Sequence, residues 1–210
     1  MNIFVLCTGR CGSLTFTKAC EHITNYTTAH ESRLDRIGDD RLRYPADHIE
    51  ADNRLSWFLG RLDETYGDHA FYVHLVRSTG NTAASYARRW KGPKGIITAY
   101  RRGMLRWDEA HTPDNLKHEV CVDYYHTVNA NIRLFLKDKT KTMNVELERA
   151  PEHFRDFWDA VGAEGDRDAA LAEWDIRYDI GKDGGPRRYR RIVRKAARIA
   201  DKLPGFLKDA

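Results

Sequence analysis

Long hydrophobic runs are missing from this chain of 210 residues; mean hydropathy is −0.66, and the apolar stretch at its start covers only residues 3–7 before Arg10. A run that short cannot cross a bilayer, which takes about 20 apolar residues. Met1-Asn2 provides no basic region ahead of it, so no secretory leader is expected and the compartment expected is cytoplasmic. Cysteine is scarce too: the four residues, Cys7, Cys11, Cys20 and Cys121, are scattered, which fits reduced thiols rather than a disulfide framework. Neither charge sign dominates, with 35 basic against 31 acidic residues and a net charge of +4. No nucleic-acid partner is expected. The nine histidines and four cysteines show no tight ligand spacing, so no metal is expected either. Internal repeats are absent. A hydrophobic content of 41% excludes disorder over most of the chain, and the length suits one compact domain.

What is present begins at the start. The strand Ile3-Phe4-Val5-Leu6-Cys7 runs into Thr8-Gly9-Arg10-Cys11-Gly12-Ser13-Leu14-Thr15. A strand that breaks into a glycine-rich turn and opens a helix aims free backbone N–H groups, and the positive helix end, at one spot that attracts phosphate. Gly9 and Gly12 permit close approach, Ser13 and Thr15 add hydroxyls, and Arg10 adds a planar charged fork. The nucleoside-triphosphatase loop has a longer gap between its glycines and a Lys-Ser/Thr after the second. Here Ser13 stands where that Lys would be. Taken alone, the loop serves either a phosphate or a ligand-free sheet.

Residues 70–76 form a second apolar run, ending at Arg77; Gly80-Asn81 then opens a helix carrying Ser85, Arg88 and Arg89. Arg77 and Ser85 can converge on one anion outside the carboxyl ends of the strands.

Together these stretches resemble the sulfotransferases that use 3′-phosphoadenosine 5′-phosphosulfate (PAPS). Arg10-Cys11-Gly12-Ser13 is similar to their 5′-phosphosulfate loop, and Arg77, Ser85 and Arg89 are similar to their 3′-phosphate motif. Thr28-Ala29-His30-Glu31-Ser32 matches the place of a His-Glu pair. Met143-Asn144-Val145-Glu146-Leu147, then Pro151-Glu152, resembles the family's late strand and Pro-led helix. Departures are Ser78-Thr79 for the usual Asp-Pro, Leu14 for a loop hydroxyl and Asn144 for a Tyr. The resemblance implies a three-layer α/β fold, a mostly parallel sheet with helices on both faces, of the P-loop-like sulfotransferase kind. It also implies PAPS as co-substrate, PAP (3′-phosphoadenosine 5′-phosphate) as product, and a nucleotide site at Gly9, Arg10, Cys11, Gly12, Ser13, Leu14, Thr15, Arg77, Ser85 and Arg89. Glu31 is then the first choice for the base, His30 the second, and Arg10 stabilises the leaving phosphate. Glu146 is a structural carboxylate on its turn.

Elsewhere the pattern predicts a helix over residues 13–22 with Leu14, Thr17, Ala19 and Cys20 inward. It predicts a short strand over 26–29, a polar substrate-side loop over 33–47, and a helix capped by Asp52 or Asn53. Further helices are expected over 96–107, around 121–136 and over 151–161, with a strand over 142–147. Tyr44, His48, Trp90, Tyr100 and Trp107 are candidates for stacking on an acceptor, or for core. The expected domain covers residues 1–186. Residues 187–210 are a basic helix with three open readings: a docked core element, a contact with an acidic membrane surface or polyanion, or closure of the nucleotide site. The expected acceptor is a small molecule or a carbohydrate, with lipid and peptide also open. The competing function is a PAP- or polyanion-binding module without catalysis; a small-molecule kinase is disfavoured by the missing loop Lys.

Overall fold

Strand β1 (Ile3–Cys7) is buried along its whole length because its two faces serve two different cores. Ile3, Val5 and Cys7 pack with Phe16, Phe154 and Phe157, whereas Phe4 and Leu6 pack with Leu62, Tyr86 and Tyr124. A strand covered on both faces reads as a continuous apolar run rather than an alternating one. The computed structural model describes residues 1–91, 95–107, 112–176 and 178, and residues 1–176 form one compact unit.

The sheet has five parallel strands in the order β2 (Thr27–His30), β3 (His48–Ala51), β1, β4 (Phe71–Val76) and β5 (Thr142–Glu146). The chain leaves β1 toward one edge and returns past it to β4, so strand order reverses at β1. The crevice outside the carboxyl ends there is where open α/β sheets hold ligands. Helices α1 (Ser13–Cys20) and α6 (Ala150–Ala160) contribute to one core. Helices α2 (Leu59–Tyr66), α3 (Thr79–Ala87) and α5 (Lys117–Leu136) contribute to the other. The expected three-layer α/β architecture is present.

Several expectations need correction. Strand β3 was not foreseen, because His-Ile-Glu-Ala looks half polar in sequence. Glu50 is fully buried, yet its carboxylate accepts from Ser32 N at 2.8 Å and Ser32 Oγ at 2.6 Å, and lies 3.1 Å from His48 Nε2. A satisfied polar group is tolerated in a core, and hydropathy cannot see its partners. On α1, Phe16 turns inward along with Thr17, Ala19 and Cys20, while Leu14 is only half-buried. The helix expected over 96–107 is instead α4 (Ile96–Ala99) followed by a π turn over Tyr100–Met104. Helix α7 (Arg167–Ala172), capped by Asp166 on Ala169 N, was not expected. Glu146 is exposed; the carboxylate that holds this turn is that of Glu148, which accepts from Ser78 N at 2.9 Å. The basic segment 187–210 lies outside the described residues. No described helix is long and apolar enough to cross a membrane.

Candidate active site

The loop between β1 and α1 is held from outside by hydroxyls. Thr8 O accepts from Tyr86 Oη at 2.5 Å and from Tyr124 Oη at 2.7 Å, so helices α3 and α5 both pin the same carbonyl. Gly9 has φ 78°, and a Cβ there would lie 2.4 Å from Asn53 Nδ2 and 2.6 Å from Tyr86 Oη. Gly12 has φ 90°, with Leu147 Cδ1 at 2.6 Å from its would-be Cβ. Arg10 takes φ 59° without being glycine, a strained conformation that concentrates at functional sites. The first α1 bond is Phe16 N to Gly12 O at 2.9 Å, which leaves the N–H groups of Ser13, Leu14 and Thr15 outside the helical ladder.

Across β1, the 77–85 segment meets this loop. Arg10 Nε donates to Ser85 Oγ at 3.2 Å, and Arg77 Nη1 donates to Arg10 O at 3.2 Å. Tyr125 Oη fixes Arg77 by donating to its carbonyl at 2.9 Å. Ser85 is buried, Arg77 is half-buried, and Arg89 is half-buried beyond the end of α3. Arg10, Arg77 and Ser85 therefore stand together with the opening of α1.

On the β3 side, His30 Nε2 lies 3.0 Å from Ser13 Oγ, so His30 touches the loop itself. Glu31, with φ 51°, pairs instead with Arg54 Nη1 at 3.2 Å. Arg54 and the Asn53 beside Gly9 follow Asp52, whose carboxylate caps the turn by accepting from Arg54 N at 2.8 Å. Asp52 is fully buried and paired with Arg41 at 2.5 Å, and Arg41 also donates to Tyr44 Oη at 3.2 Å. Burial pushes the Asp52 carboxyl above the usual range, against the pull of Arg54 N and Arg41. Arg41 sits in the 3₁₀ turn Gly38–Arg41, so the ion pair ties the polar 33–47 loop to the carboxyl end of β3.

Cys11 is fully buried and turned away from the crevice into the core. A hydrogen bond from the Cys7 thiol lowers its thiol and raises that of Cys7. Sequence reasoning missed Arg54, Tyr86 and Tyr124, which carry no motif; Asp52 was legible only as a cap. Of the five aromatic candidates, Tyr44 stacks on His48 and both are buried, and Trp90 is buried beneath the Arg101 guanidinium. Trp107 is partly exposed, and Tyr100 faces a cavity. Among the described residues no group of three or more His, Cys, Asp or Glu is arranged to hold a metal ion.

A solved structure shares this fold. The chain superposes on a mouse sulfotransferase, SULT7A1 complexed with PAP, at a TM-score of 0.52 with 12% identity. The sulfotransferase fold is shown. The match covers 83% of this chain and 62% of that one. No family model matches the chain, and no curated protein does.

Proposed function

We propose that the chain is a PAPS-dependent sulfotransferase that moves a sulfuryl group to a hydroxyl or amine acceptor by in-line transfer. The observation that carries this reading is the meeting of Arg10, Arg77 and Ser85 at the opening of α1, with Arg10 Nε 3.2 Å from Ser85 Oγ. Two arginines, a hydroxyl and the helix N–H groups that stand outside the helical ladder make a site for a doubly phosphorylated nucleotide, and the PAP-bound neighbour of the same fold supports that ligand.

The acceptor's oxygen or nitrogen attacks sulfur, forming the new bond while the sulfur–oxygen bond to the 5′-phosphate breaks. The electron pair leaves with the bridging oxygen of PAP. Arg10 and the N–H groups of Ser13 and Leu14 neutralise that oxygen as charge develops, the term that usually dominates such catalysis. Glu31 takes the acceptor's proton. Its pairing with Arg54 keeps it on the acceptor side, while the His30 contact to Ser13 suits a residue that orients the loop. Mass spectrometry of an acceptor panel incubated with labelled PAPS tests the reading. Sulfated product that disappears in Glu31→Gln supports it. A chain that binds PAP and transfers to no acceptor is a binding module instead.

A further inference from the structure

Two helices reach the phosphate loop at one atom, and each reaches the 3′-phosphate side through an adjacent residue. On α3, Tyr86 Oη donates to Thr8 O at 2.5 Å, and the residue before it is Ser85, which accepts from Arg10 Nε at 3.2 Å. On α5, Tyr124 Oη donates to Thr8 O at 2.7 Å, and the residue after it is Tyr125, whose hydroxyl donates to Arg77 O at 2.9 Å. We infer that Tyr86 and Tyr124 are positioning residues that set the spacing between the loop and the Arg77–Ser85 side. Through that spacing they select a nucleotide phosphorylated at both the 5′ and 3′ positions over one phosphorylated at the 5′ position alone. This inference rests on the nucleotide reading proposed above.

The division of labour among the bonds is the first argument. The loop follows β1 and Arg77 follows β4, and Arg10 Nε to Ser85 Oγ and Arg77 Nη1 to Arg10 O also join the two. Those bonds are made by the groups that turn to phosphate oxygens when a nucleotide enters, so they cannot hold the spacing at the same moment. Thr8, Tyr86 and Tyr124 are all buried, and their bonds take no part in that exchange.

The chemistry of the tie is the second. A carbonyl oxygen has two lone pairs, and Thr8 O meets one hydroxyl from each helix. Burial pushes both phenols above their ordinary value, so each stays protonated and remains a donor. In such a dry setting a hydrogen bond is stronger than it would be in water. The two rings brace each other edge-on, with centroids 5.3 Å apart. Gly9 passes so close that a Cβ there would lie 2.6 Å from Tyr86 Oη. Contact thus stops the loop from moving toward α3, and the two hydroxyls stop it from moving away.

The third argument concerns a ligand with two charged ends. Two phosphates on one nucleotide add their binding only where the two subsites stand at the ligand's own span. When the span varies, the second contact forms at a lower effective concentration. A nucleotide with a 5′-phosphate alone does not feel the span. The mark of the tie is therefore a loss for PAP that AMP does not share.

Calorimetric titration with PAP and with AMP tests this, using the full chain, Tyr86→Phe, Tyr124→Phe and the double variant. Phenylalanine removes each hydroxyl and keeps the ring. Each single variant should bind PAP about threefold more weakly with AMP unmoved, because one hydroxyl still holds the carbonyl. The double variant should lose more than the product of the two, at least about tenfold for PAP, since the two hydroxyls act on one atom. Should the double variant not fold, the PAP-to-AMP ratio of the single variants decides. A ratio that stays at its natural value overturns the inference, whether neither affinity moves or both fall together as a merely structural role would make them. The nucleotide reading survives that result. A natural chain with no preference for PAP removes the nucleotide reading itself, and this inference with it.

Discussion

The two sides of the crevice are built by different means. The side proposed for the nucleotide is written in the backbone: three positive-φ positions within four residues, at Gly9, Arg10 and Gly12, one carbonyl held by two tyrosines, and a helix that opens at once. The side proposed for the acceptor is held by polar pairs: the buried Arg41–Asp52 pair, the buried Glu50 carboxylate with Ser32 and His48, and the half-buried Glu31–Arg54 pair, drawn from positions up to 23 residues apart. A backbone-coded site keeps its shape through short-range chain geometry. A charge-coded one depends on each partner remaining in place, since removing one member of a buried pair leaves the other uncompensated.

Substitutions should separate the two sides. Glu31→Gln should have the largest effect, lowering kcat by about 10²–10⁴-fold in steady-state kinetics while PAP affinity holds, with His30→Ala milder. Should His30→Ala abolish turnover and Glu31→Gln spare it, the roles are exchanged. Arg41→Met should cost about 3–5 kcal/mol in urea unfolding by stranding the Asp52 charge, and adding Asp52→Leu should recover much of that. Gly9→Ala should act on the other side, forcing φ 78° on a residue with a Cβ and pushing Asn53 and Tyr86 aside. A strain of about 1–3 kcal/mol should appear as weakened PAP binding in calorimetry. The smallest effect concerns pH. His74 is buried and bonded to Asn129 at 2.8 Å, and burial holds its imidazole below the ordinary value. The unfolded chain therefore takes up the proton first as pH falls through the ordinary histidine range, so stability is lost from about pH 7 toward pH 5. The melting temperature should fall over that interval, and less steeply in His74→Gln.

The same division governs what was legible in the sequence. Strand β1, the loop, Arg77 and Ser85 were readable because their signals are local: an apolar run, glycines at a break, an arginine at a strand end. Strand β3 was not readable, since Glu50 is buried on the strength of Ser32 and His48, which hydropathy scores as polar. The π turn over Tyr100–Met104 kept its helical spacing in sequence while changing its backbone, so the helix expected over 96–107 changes geometry at Tyr100 and ends at Met104. The tyrosines that clamp Thr8 lie 78 and 116 residues away from it, and no spacing rule joins them.

The central claim is that Arg77 and Ser85, gathered beside Arg10, read a 3′-phosphate. Calorimetric titration of the chain with PAP and with AMP, which lacks that group, tests it most directly. Charge-assisted hydrogen bonds to the extra phosphate should make PAP bind at least about tenfold more tightly. Arg77→Ala should erase most of that preference without moving the melting temperature. Equal affinities for PAP and AMP in the natural chain, or an Arg77→Ala effect confined to stability, would contradict the account.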